Sequence, residues 1–135
     1  MKRVFVAMSL FISVTALAGK EEREYKKSDV DPAVKAAEAK VKSSCGCALS
    51  IVLNANTIDT KDNMYQAKHV ADSITEGAAA YCTDADSKKA VCQLKTLEIV
   101  RGKETAFTFK AGKGTSTHDG QSYMGWDVMT HELDK

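Results

Sequence analysis

Four cysteines are the residues best placed to do chemistry, and their spacing allows two different uses. Two stand close together in Ser44-Cys45-Gly46-Cys47, and the others, Cys82 and Cys92, bracket the end of the longest helical pattern in the chain. A bond from Cys45 to Cys47 would cross a single residue of extended chain, near the upper limit of about 6.8 Å between the α-carbons of a disulfide. Such a bond is strained and exchanges readily, which makes Cys45-Gly46-Cys47 a candidate thiol–disulfide exchange site. The two crossed pairings instead tie the Cys45/Cys47 stretch to the helix. They close loops of roughly 35 to 45 residues, each worth about 3–4 kcal/mol in the loop-entropy account. Exchange cysteines usually sit at a helix N-terminus, which stabilises the thiolate. Here the pair runs into the apolar stretch Ala48 to Leu53, which favours structural staples. A zinc site is disfavoured, because Cys45 and Cys47 lack the two-residue spacer and no histidine stands at a matching distance from Cys82 or Cys92.

The remaining polar motifs are weaker. His69, His118 and His131 are scattered. His118 and Asp119 are adjacent but have no nucleophile tied to them, so His118 reads as a solvated loop residue and no catalytic constellation emerges. Gly112-Lys113-Gly114-Thr115-Ser116-Thr117 has the wrong spacing for a phosphate-binding loop, and no helix pattern follows it. It reads as part of a long flexible loop from Lys110 to Gln121. That loop makes Lys113, Thr115, His118, Asp119 and the following Tyr123 candidate contacts for another protein. Asn54 and Asn56 follow the first strand pattern, and Arg101 ends a later one. If the two strands are parallel, these three residues share the carboxyl edge where ligands bind in open α/β sheets. Asn is also an ordinary turn residue. No cofactor motif is present.

The elements that position these residues follow from periodicity. Asp31-Pro32 marks a helix start, with Asp as cap and Pro at the first helical position. Val34, Ala37 and Val41 then share a face. Cys47, Leu49, Ile51 and Leu53 alternate as one face of a strand, and Cys45 has the same parity. Asp59 or Thr60 can cap a helix over residues 62–82, in which Ala67, Ala71, Ile74, Ala78 and Cys82 recur at helical spacing. That helix is about 30 Å long, against about 23 Å for the strand, so an antiparallel return brings Cys82 back toward Cys45 and Cys47. Residues 87–94 suggest a short helix carrying Cys92. Thr96 to Val100 and Thr105 to Lys110 read as a hairpin about Gly102, and Tyr123 to Met129 as a last strand. The first strand and the one after the long helix should be parallel, joined by the helical crossover. The expected fold is α+β, a two-layer sandwich in the order α-β-α-β-β-β. The N-terminal helix and the long helix cover a mixed four-stranded sheet.

The chain begins with Met1-Lys2-Arg3, a mostly apolar run from Val4 to Leu17, and Ala16-Leu17-Ala18. This is the pattern of a secretory signal peptide over residues 1–18, with cleavage before Gly19. The run is shorter than the roughly 20 residues of a spanning helix. Residues 19–30 are charged and poor in apolar side chains, and read as a mobile arm. Residues 31–135 read as a single domain. Of 19 basic residues, removal of Lys2 and Arg3 leaves 17 against 18 acidic ones, a net charge of −1. That balance disfavours nucleic acid and leaves no polybasic membrane patch. An even set of cysteines in an exported chain implies disulfides in the periplasm or outside the cell. By elimination, the sequence points to a non-enzymatic module that binds another envelope or secreted protein, as an inhibitor or immunity partner does. Thiol–disulfide exchange through Cys45-Gly46-Cys47 is the alternative.

Overall fold

A computed structural model describes residues 19–135, so the leader over residues 1–18 lies outside the described residues. The elements are α1 (Lys20–Tyr25), a π-helical turn (Lys26–Val30), α2 (Asp31–Cys45), β1 (Ser50–Leu53), α3 (Lys61–Tyr81) and α4 (Ala85–Cys92), then β2 (Thr96–Arg101), β3 (Ala106–Lys110), β4 (Lys113–His118) and α5 (Trp126–Leu133). The four strands form one sheet in the order β1-β2-β4-β3. β1, β2 and β4 are parallel, and β3 runs antiparallel to β4. The fold is α+β with a mixed sheet, as the periodicity implies.

The N-terminal segment departs from expectation. Residues 20–30 are helical turns continuous with α2, not a loose arm. Two apolar residues among the charges are enough to dock them: Val30 is fully buried, and Tyr25 packs against the core with the Lys61 ammonium 5.5 Å from its ring centre. Asp31 has helical backbone angles and does not act as the cap. Its N–H instead bonds the Lys26 carbonyl five residues back. The wider π turn relieves the clash that the Pro32 ring would otherwise make with the preceding turn.

α2 buries Val34, Ala37 and Val41, and it carries Cys45 as its last residue. Gly46 then ends the helix in the left-handed region (φ +83°), its N–H bonded to the Lys42 carbonyl at 3.1 Å. Cys45 is therefore helical, and the strand proper begins only at Ser50. Beyond that shift the alternation holds, with Leu49 and Ile51 buried and Ser50 and Val52 exposed. α3 begins after Thr60, whose hydroxyl accepts from the Asn63 N–H at 3.2 Å. It buries Met64, Ala67, Val70, Ala71, Ile74 and Ala78 against the sheet and α2. α4 opens on a capping box between Asp84 and Ser87.

β2 and β3 do not form the expected hairpin. The segment read as a flexible loop contains β4, which lies between them. Its core-facing positions are Gly114, Ser116 and His118, all buried. A Cβ on Gly114 would come within 2.7 Å of Leu94 Cδ1 and 3.0 Å of Phe107 Cε1, so neighbouring side chains fill the space that a strand's own apolar residues normally occupy. The hairpin joins β3 to β4 through Ala111 (φ +52°) and Gly112 (φ +82°), the pattern of a type I′ turn. Ala111 adopts a backbone conformation that its Cβ disfavours. Ala111→Asn supplies the Asn-Gly pair such turns prefer, and should raise the unfolding free energy by about 0.5–1 kcal/mol in a denaturant titration.

The second departure is at the C-terminus, where residues 126–133 form α5 and not a strand. Trp126, Met129, Thr130 and Leu133 are its buried stripe, at helical spacing. Its start has no cap from its own sequence. The Ser73 hydroxyl of α3 accepts the Trp126 N–H instead, at 3.2 Å. The Trp126 indole lies directly on Gly77 of α3 and edge-on to Tyr81. The Tyr81 hydroxyl donates to Asp134 at 2.7 Å, and burial followed by this contact pushes the phenol up to about 12.

Buried and exposed residues alternate along the strands, so one face of the sheet carries the core. The other face presents Val52, Glu98, Val100, Thr108, Thr115 and Thr117, none of them fully buried.

Candidate functional site

The cysteines form two crossed disulfides, Cys45–Cys82 and Cys47–Cys92, with α-carbons 5.3 and 5.7 Å apart. Both separations are ordinary for the bond. The exchange reading required Cys45 and Cys47 to bond each other, and they do not. The bonds pin the end of α2 to the end of α3, and the link before β1 to the end of α4. No free thiol remains among the described residues, so none of these sulfurs offers a thiolate to a metal. Cys45 and Cys82 are buried, while Cys47 and Cys92 are half-exposed.

The residues read as a ligand edge do share one end of the sheet, where Asn54 and the Arg101 backbone N–H help to close the loop after β1. Asn54 Oδ1 accepts the N–H groups of Asn56 (3.0 Å) and Thr57 (3.2 Å), and Asn54 Nδ2 donates to Glu98 at 3.3 Å. Arg101 donates its backbone N–H to the Thr57 hydroxyl at 3.1 Å and its guanidinium to the Gly102 carbonyl at 3.1 Å. Asn56 is exposed. The turn and cap reading accounts for Asn54, and a hydrogen bond to the chain accounts for Arg101.

The candidate contact residues separate. Lys113 and Thr115 lie on the open sheet face, where Lys113 reaches Glu98 at 3.5 Å. His118 faces the other way and is fully buried, so it is neither solvated nor able to touch a partner. Its Nδ1 accepts the Gly120 N–H at 3.3 Å, while Nε2 has no partner. Asp119 opens the following loop. Its carboxylate accepts N–H bonds from Ser122 (2.8 Å) and Gln121 (2.9 Å), which hold it below the usual carboxylate range.

Burial first, and then the Arg101 charge, lower the His118 pKa from its ordinary 6.5, while Asp119 opposes them. As pH falls below 6.5, the unfolded chain takes up a proton at this position that the folded one refuses. Stability is therefore highest above that value and falls on acidification. Between pH 7 and 5 the melting temperature of the protein should drop, and His118→Gln should remove the part of the slope due to this residue. An unchanged slope in the variant would mean that His118 is protonated without cost.

Tyr123 occupies the most distinctive surface feature. The loop after β4 brings its ring over His69 of α3, nearly parallel at 5.6 Å between centres. Tyr65, one turn earlier on the same helix, meets His69 edge-on at 4.3 Å. Tyr65 is 51% exposed and Tyr123 37%. Sequence reading found Tyr123 but missed its partners. Tyr65 and His69 stand four apart, a spacing that places both on one side of a helix. That signal was readable. The return of the loop onto that side was not.

These features define a small α+β domain with a one-sided sheet, pinned by two crossed disulfides. No protein-family model, no curated protein and no solved structure matches the chain.

Proposed function

We propose that the protein is exported by removal of residues 1–18. In the periplasm or outside the cell it then binds another envelope or secreted protein, in the manner of an inhibitor or immunity partner. Two disulfides fit an oxidising compartment, and no helix among the described residues is long and apolar enough to cross a membrane. The observation that carries the binding reading is the Tyr65–His69–Tyr123 cluster. Tyrosine is enriched at protein interfaces, where its flat ring gives contact area for little conformational entropy. Here contact with His69, stacked for Tyr123 and edge-on for Tyr65, already restrains both rings, so less freedom is lost on association. The contact surface expected around Lys113 to Gln121 thus moves to Tyr123 and the outward side of α3.

The test has two parts. Protein recovered from outside the cytoplasm should have an intact mass beginning at Gly19. A photo-crosslinking residue at position 65 should capture one specific protein in the producing cell. Tyr123→Ala should abolish that adduct, and the same crosslinker on the open sheet face at position 52 should not form it. Equal capture at positions 65 and 52, or none at 65, would end the reading.

A further inference from the structure

The sheet has two edges, and the fold treats them differently. At β1 the outward N–H of Ile51 donates to the Glu38 carboxylate of α2 at 2.8 Å. That bond blunts the edge against a further strand. At β3 no such bond exists, although α5 packs against this strand. Its inner side pairs with β4, and among the described residues no hydrogen bond takes up its outward backbone groups. β3 reads Ala106-Phe107-Thr108-Phe109-Lys110, with no proline and one charge, at its end. Phe107 and Phe109 pack against the core but remain partly exposed. Aromatic and threonine residues are strong strand formers, so this edge is a template for another strand.

The order of residues says which strand. Phe107-Thr108-Phe109 reads the same in both directions, so an antiparallel pairing about a two-fold axis at Thr108 is self-complementary. Phe107 then faces Phe109 of the second copy twice, and Thr108 faces its own equivalent. Aromatic pairs and threonine pairs both favour cross-strand contact. The two Lys110 side chains fall at opposite ends of the seam, each beside Ala106 of the other copy. The like charges are thereby kept apart. We propose that the protein forms a two-fold dimer through antiparallel pairing of β3 with β3 of a second copy, continuing the sheet across the seam. This does not involve Tyr65 or Tyr123, which stay free for a different partner.

Light scattering and sedimentation of the oxidised protein over a concentration series test this. The wild type should pass from monomer to dimer. Thr108→Lys places two ammonium groups face to face on the axis and should weaken the dimer roughly tenfold or more. Thr108→Glu should do the same with two carboxylates. Thr108 is exposed, so circular dichroism should show both variants folded, and mixing them should restore a one-to-one dimer. In a mixture of light and heavy isotopic copies, a disulfide formed at Thr108→Cys should join the two copies through position 108. A wild type monomeric at every concentration reached would overturn the proposal and leave the edge to a strand of another protein. So would a dimer indifferent to the charge at position 108.

Discussion

Replacing Cys45 and Cys82 together by alanine should lower the unfolding free energy by about 4 kcal/mol, and Cys47 with Cys92 by a similar but smaller amount. The bonds span 37 and 45 residues. Closing loops of that length removes nearly the same entropy from the unfolded chain, because the dependence is logarithmic. The difference between the two comes from burial. Cys45 and Cys82 lie in the core, so their removal also leaves a void, while Cys47 and Cys92 sit at its rim. A domain of this size has about 5–15 kcal/mol of stability in all, so either deletion is a large fraction of it. The loops overlap, so the two losses should not add. Denaturant unfolding followed by circular dichroism measures both. Variants within 1 kcal/mol of the wild type would show that the unfolded chain is already compact enough to make the bonds nearly redundant. The same difference in exposure sets the order of reduction: a mild thiol should open Cys47–Cys92 first.

Trp126→Ala should cost about 3–5 kcal/mol, the range for truncating a buried large aromatic. Trp126 is the one tryptophan of the chain, and it joins α5 to α3 through Gly77 and Tyr81. The loss should be local before it is global. With the indole gone, α5 loses the largest side chain of its buried stripe, and hydrogen exchange over residues 126–133 should accelerate more than exchange in β2. Trp126→Phe is the control. It keeps an aromatic ring on Gly77 and removes an indole N–H that is buried with no hydrogen-bond partner. Loss of that unsatisfied donor offsets part of the lost packing. If phenylalanine is as harmful as alanine, the indole's shape and not its bulk holds the helix.

What could be read in advance follows where each element's information lies. β1 and α3 carry theirs in their own residues. Leu49 and Ile51 alternate, Ala67, Ala71, Ile74 and Ala78 recur, and Thr60 caps locally. The parallel pairing of β1 with β2 then followed from the helix between them. β4 could not be found that way, because its core face is Gly114, Ser116 and His118, and the apolar atoms filling that space belong to Leu94 and Phe107. α5 was hidden twice. Met124, Trp126 and Val128 imitate a strand, and the hydroxyl that caps the helix belongs to Ser73, 53 residues earlier. The site shows the same division. The cysteines favoured staples from the Cys45/Cys47 stretch to the helix without fixing which pairing, and His118 gave no sign of burial, because the strand that buries it was not recognised. Tyr123 was read without the helix side on which it rests.

The interleaving of the two disulfides has a consequence for biogenesis. Numbered along the chain, the first cysteine bonds the third and the second bonds the fourth. If the chain is exported as proposed, crossing the membrane from its N-terminus would deliver Cys45 and Cys47 to the oxidant side by side, while Cys82 and Cys92 are still behind. An oxidase acting on thiols in order of arrival would join neighbours, and neither native bond joins neighbours. On that route, productive maturation calls for a disulfide isomerase, or for oxidation delayed until α3 has packed on the sheet. In a cell lacking isomerase activity, the yield of this protein should fall far more than that of an exported protein whose cysteines pair consecutively.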